Sequence, residues 1–144
     1  MNINIILYII IVIVLVAIGG NVNKVTSELL IPSIYPPTYL FGLVWTILFF
    51  IFGIFLYYAE GSVSLQRIGV IYFTLVLLWT PLFVYTKSTA VGFYYLLLLS
   101  ILTILLYIMS FTYSHTYSWL LIPQILWIFF ATILAYSLYK LNKM

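Results

Sequence analysis

An all-α membrane protein, a bundle of five transmembrane helices forming a single domain over residues 1–144, is the fold this sequence predicts, and three observations predict it. Hydrophobic residues make up 67% of the chain and charged residues 5%, whereas a soluble domain covers itself with roughly 25% charge. The apolar residues fall into runs of roughly 18 to 24, each long enough for a helix to cross ~30 Å of hydrocarbon. Short polar or helix-breaking stretches separate the runs, so consecutive helices should be antiparallel neighbours.

The first span covers residues 3–21. No Lys or Arg precedes it and no clear small-x-small cleavage site follows, so it reads as a retained helix rather than a signal peptide. Residues 20–37 form the longest connection, "GNVNKVTSELLIPSIYPP", with Lys24, Glu28, three of the five prolines and the apolar Leu29, Leu30 and Ile31. A tether would be polar throughout; long ordered loops in small domains are usually functional, often lids. A lid-like loop is therefore expected, with a loose surface connection as the alternative. The second span, 38–59, follows the pair Pro36-Pro37. The third, 66–86, follows "EGSVS" and contains Pro81. The fourth, 90–111, follows "KST", and the fifth, 117–139, follows "YSHTYS" and contains Pro123. Each internal proline removes an N–H, so Pro81 releases the carbonyl of Leu77 and Pro123 that of Trp119. At membrane depth such carbonyls persist only where neighbours or a cavity satisfy them.

Charge and composition narrow the chemistry. Cysteine is absent, which removes disulfides, thiolate metal sites and thiol nucleophiles. The net charge of +3 rests on five scattered basic residues, too dispersed for the basic stripe that nucleic acid requires. The middles of spans two to five hold no Asp, Glu, Lys, Arg or His, although proton relays and charged-solute carriers keep such residues there. No metal and no cofactor is expected. Lys24, Lys87, Lys140 and Lys143 share one side of the bundle, and Arg67, the N-terminal amine and His115 the other. The positive-inside rule then puts the C-terminus in the cytoplasm and the N-terminus outside.

The spans are instead rich in aromatic residues: four tryptophans, 14 tyrosines and 11 phenylalanines. An interfacial belt accounts for Trp119 and for Tyr57, Tyr58, Tyr85 and Tyr139, but less well for Trp45 and Trp127, which lie inside spans two and five. Trp45, Phe49 and Phe52 share a face at i, i+4 and i+7. Trp127 begins a similar face with Ala131, Leu134 and Leu138, and the small Ala131 leaves room one turn from the indole. From spacing alone, core packing is the stronger reading. A flat apolar guest held by stacking and one indole N–H donor is the alternative.

Three segments resemble the translocator proteins, also called tryptophan-rich sensory proteins (TspO) or peripheral-type benzodiazepine receptors. "PPTYLFGLVWTILFFIFGI" is similar to the family's Pro-Pro-x-x-x-Phe-Gly-Pro-Val-Trp-Thr segment, "LLWTPLF" to its Trp-x-Pro-x-Phe, and "LLIPQILWIFFATILAYSLYKLN" to its Leu-x-Pro-Tyr-x-x-Trp-x-x-Phe-Ala helix. The resemblance covers nearly the whole chain in order. It implies a pocket inside a five-helix bundle, closed by the first loop, that takes porphyrins, sterols and benzodiazepine-type ligands, and it implies a homodimer. Pro36, Trp45, Phe49, Trp79, Trp127, Phe130, Ala131 and Leu134 match the family's ligand-binding positions. If a bound porphyrin is degraded with light and oxygen, Trp45 and Trp127 are the implied catalytic residues.

The chain departs from the family pattern at Leu43 and Gln124, which stand where the family has Pro and Tyr, and at Val76 and Ala135, where Asn is common. Tyr35 stands near the usual loop tryptophan. Leu134, Tyr136 and Lys140 satisfy a proposed sterol motif, but Leu82, Tyr85 and Lys87 satisfy it too, and in so Leu- and Tyr-rich a chain the pattern is cheap. The expected partners are a planar apolar ligand, tetrapyrroles first, and membrane lipid, including sterol. A structural assembly protein with Ala131 and Ala135 as a small-residue contact is the competing reading. Ile-, Tyr- and Asn-heavy usage favours a bacterial plasma membrane, with a mitochondrial outer membrane as the alternative.

Overall fold

The computed structural model describes Leu29 and residues 32–142. The first predicted span, most of the first loop, and Lys24 and Lys143 lie outside the described residues. Within them, four long helical stretches correspond to the predicted second to fifth spans, and the regular structure is entirely helical.

Helix α1 runs Thr38–Tyr58, directly after the proline pair. Pro37 has φ −55 and ψ 142, the extended geometry its ring favours. It ends the extended segment and passes its carbonyl to the N–H of Leu40, 3.0 Å away. A 3-10 turn, Ala59–Gly61, closes the helix. Helix α2, Val63–Thr86, begins three residues earlier than the expected 66, because the Ser62 side chain accepts the N–H of Leu65 at 3.3 Å and caps it. It continues through Pro81 and stops at Lys87, which adopts the left-handed conformation (φ 50, ψ 28) and bonds the Phe83 carbonyl at 2.9 Å. Ser88 caps α3, Thr89–Tyr113, in the same way through Val91.

"YSHTYS", expected to be a connection, is mostly helical. Ser114 alone turns extended (φ −158, ψ 119), and His115–Ser118 already form the short helix α4. A 3-10 turn at Trp119–Leu121 leads into α5, Ile122–Asn142. Pro123 accounts for that tightening. It cannot donate to Trp119, so the Trp119 carbonyl accepts the N–H of Ile122 instead. The freed carbonyl is thus satisfied within its own chain segment, and Pro123 sits in the first turn of α5, where proline is tolerated.

Tyr39–Tyr58, Val63–Thr86, Thr89–Tyr113 and His115–Asn142 are 20, 24, 25 and 28 residues long, and an 18-residue stretch of each has a mean hydropathy of 2.4, 2.0, 2.3 and 1.9. Each meets the ~20-residue requirement for a span, and the chain is a multi-pass membrane protein. Successive spans alternate in direction, so Lys87 and Lys140 fall at one end of the bundle and Arg67 at the other.

Helix α3 is the common partner. Helix α5 lies along it and α2 packs beside it, while α1 leans mainly on the 3-10 turn at Trp119–Leu121. The buried face of α3 carries Gly92, Leu96, Leu99, Ser100, Thr103, Leu106 and Ser110, at the three- and four-residue steps of one helix face. Phe49, Phe52, Phe55 and Leu56 of α1 complete the core.

Candidate functional site

Trp127 projects from the second turn of α5 and is half-buried. Its ring meets that of Trp45 edge-on, with centroids 6.2 Å apart at 87°, and also contacts Phe41 at 6.0 Å and Phe130 at 5.5 Å. Trp45 in turn lies nearly parallel to Phe49 one turn along α1, at 5.4 Å and 21°. The first loop reaches this group through Tyr35, whose ring rests 5.2 Å from Phe41. Tyr35 is placed by a turn in which its N–H bonds the Pro32 carbonyl at 3.1 Å. Pro36 follows it and is half-buried.

The contacts then continue across to α2. Phe49 packs edge-on against Phe73 at 5.1 Å, Phe73 stacks on Phe52 at 5.3 Å and 7°, and Phe52 touches Tyr72 at 5.6 Å. The Tyr72 hydroxyl lies 2.6 Å from Thr103 Oγ1 and accepts Nε2 of Gln124 at 3.1 Å. Gln124 and Trp127 are three residues apart on α5 and so share a face. The path therefore returns to its start, outlining the place where α1, α2 and α5 meet.

Two buried side-chain atoms among the described residues have no hydrogen-bond partner: Trp127 Nε1, a donor, and Gln124 Oε1, an acceptor. Both belong to this outline. Unpaired polar atoms inside a membrane bundle are costly, so the site combines flat apolar walls with one free donor and one free acceptor.

Of the residues expected to bind ligand, the structure brings Trp45, Phe49, Trp127 and Phe130 into one contact group. Ala131 lies one turn beyond Trp127, half-buried against the core, and Leu134 is buried further along α5. Trp79 is placed elsewhere. Its ring stacks on Phe83 at 5.2 Å and 9°, and its indole N–H is held by the Gly92 carbonyl at 3.0 Å. The three residues of the sterol pattern diverge. Leu134 is buried, whereas Tyr136, two residues or about 200° around the helix, is exposed beside Phe93, and Lys140 is exposed.

Phe41, Tyr72, Phe73 and Thr103 were not singled out by the sequence. Phe41 lies inside the quoted Pro-Pro segment, one turn before Trp45, and that spacing could have flagged it. Gln124, noted from the sequence only as a departure from the family pattern, carries the stronger signal of an amide near the start of a long apolar run.

Comparison with known proteins gives one consistent result. The profile of the TspO/MBR family matches residues 3–141. The chain is 36% identical over 116 residues to the tryptophan-rich protein TspO of Archaeoglobus fulgidus, covering 77% of this chain and 75% of that protein. It is 32% identical over 123 residues to the protein of the same name from Chlorobaculum tepidum, covering 81% and 78%.

Proposed function

The chain belongs to the TspO/MBR family, and on that premise we propose that it binds planar apolar ligands, tetrapyrroles first, where α1, α2 and α5 meet. Trp45 and Trp127 flank the ligand. The observation that carries this reading is the unpaired indole N–H of Trp127, buried within a perpendicular pair of indoles. Core packing alone gives a donor at that depth no reason to go unanswered. A flat ring with a polar edge would answer it while exchanging ring contacts for ring contacts.

Titration of the purified protein with protoporphyrin, followed by tryptophan fluorescence, tests the reading. Saturable quenching is expected. Ala131→Phe should fill the space one turn from Trp127 and weaken binding about tenfold, equivalent to ~1.4 kcal/mol, with circular dichroism confirming an intact fold. Porphyrin affinity unchanged in Ala131→Phe would move the site elsewhere, and an absence of saturable quenching in the unaltered protein would overturn the proposal.

A further inference from the structure

Gln124 is 4% exposed, and the direction of its amide follows from proton counting. Thr103 Oγ1 lies 2.6 Å from the Leu99 carbonyl, which has no proton to give, so the single hydroxyl proton of Thr103 goes there. Thr103 can then only accept from Tyr72, at 2.6 Å, which uses the single proton of Tyr72. Tyr72 is left as an acceptor toward Gln124, so the amide must offer it Nε2. Gln124 Oε1 is thereby held on the opposite side, buried and unpaired. One turn along the same helix face, Trp127 Nε1 is buried and unpaired as well. A fixed acceptor and a donor thus belong to residues three apart on one helix face, and both residues lie on the ring of contacts that outlines the site.

We infer that Gln124 is a specificity-determining residue: with Trp127 it selects planar ligands whose edge carries an N–H beside a C=O, the pattern of a lactam. The ligand N–H donates to Gln124 Oε1, and its carbonyl accepts from Trp127 Nε1. Tyr72 is a positioning residue that keeps the glutamine oxygen turned toward the ligand. The inference rests on the ligand-binding reading above and adds the polar chemistry by which that site discriminates. A ligand of the same outline with a ring oxygen in place of N–H would set an acceptor against an acceptor, leaving Gln124 unpaired and adding repulsion.

The test uses phenanthridinone, a flat tricyclic lactam, and its lactone counterpart benzochromenone, which differ only in N–H against O. Each is titrated into the full-length protein in detergent, with protoporphyrin run in parallel. The lactam should bind on the order of tenfold more tightly than the lactone. Gln124→Met should bring that ratio to about one, by weakening the lactam and relieving the repulsion against the lactone. Tyr72→Phe, which keeps the ring and frees the amide to rotate, should reduce the ratio, and it carries the test if Gln124→Met does not fold. Trp127→Phe should weaken lactam and lactone together and leave the ratio in place. Equal binding of the two by the unaltered protein overturns the inference, as does a ratio that survives both Gln124→Met and Tyr72→Phe. Porphyrin binding without lactam binding overturns it too, and in these cases the ligand-binding reading stands. If neither the tricyclic pair nor protoporphyrin binds, that reading fails and the inference falls with it.

Discussion

Helices α3 and α1 both cross the bundle and both bury one face, yet they are held by different means. Side-chain hydrogen bonds tie α3 to each neighbour. Thr103 meets Tyr72 of α2 at 2.6 Å, and Ser100 meets Thr132 of α5 at 2.9 Å. Trp79 of α2 donates to the Gly92 carbonyl of α3, while Tyr95 of α3 donates to the Leu75 carbonyl of α2 at 2.6 Å. Helix α1 leans on the 3-10 turn at Trp119–Leu121 and meets α2 and α5 through rings, Phe41, Trp45, Phe49 and Phe52 against Trp127, Phe73 and Tyr72, with one long side-chain bond, from Gln66 Nε2 of α2 to the Leu56 carbonyl at 3.5 Å. Lipid gives helices no hydrophobic reason to associate, so packing and hydrogen bonds must hold them. Hydrogen bonds fix register and direction, whereas ring contacts persist over a range of offsets. The bundle thus has a rack tied by hydrogen bonds, α2–α3–α5, and a seam of ring contacts along α1.

The largest effect should come from overpacking the rack. Gly92 is buried, and a Cβ there would lie 3.0 Å from the Phe83 ring and 3.8 Å from that of Trp79. Both are large rings stacked on each other, with little room to yield. Gly92→Leu should therefore lower stability by ~1 to 3 kcal/mol, read as a drop in thermal midpoint in detergent, while the folded fraction keeps its porphyrin affinity. A stable Gly92→Leu protein that no longer binds porphyrin would erase the distinction between rack and seam.

A smaller effect is expected from Thr103→Val, which preserves shape but removes the acceptor for the Tyr72 hydroxyl. Side-chain hydrogen bonds between helices in membranes contribute ~0.6 kcal/mol on average and up to ~1.7. The buried setting of this one places it toward the upper figure. A double-mutant cycle with Tyr72→Phe should recover a coupling of that size, and zero coupling would show that this bond does not tie α2 to α3.

The same contrast explains what could be read in the sequence. The four described spans were legible, because length and hydropathy decide whether a segment crosses a bilayer. Which face of a span turns inward was not. In "LLLL", Leu96 and Leu99 are 3% and 0% exposed while Leu97 and Leu98 are 41% and 48% exposed. Lipid and protein interior are equally apolar, so four identical letters carry no sign of that difference. The sign lay in the small polar residues Ser100, Thr103 and Ser110, whose spacing traces the inward face of α3. The pairing of Trp45 with Trp127 was legible only through the family resemblance. The bond between Tyr72 and Gln124 joins residues 52 positions apart, beyond the reach of any local pattern.

Trp79 provides the smallest and most discriminating comparison, because the family resemblance implies a ligand contact while the structure sets it in the rack. Trp79→Phe keeps a flat ring to stack on Phe83 and loses one ring of the indole together with the N–H that donates to Gly92. The Gly92 carbonyl lies within α3 and retains a main-chain partner one turn on, so the loss leaves no buried acceptor bare. Stability should fall by about the average interhelical bond, ~0.6 kcal/mol, and porphyrin affinity should stay within about twofold, since no reorganisation reaches the indoles of Trp45 and Trp127. Trp45→Phe in the same titration supplies the reference, as it removes an indole from the seam itself and should weaken binding more than Trp79→Phe does. If Trp79→Phe instead weakens porphyrin binding as much as Trp45→Phe, the ligand reaches the α2–α3 seam, and the rack is part of the site.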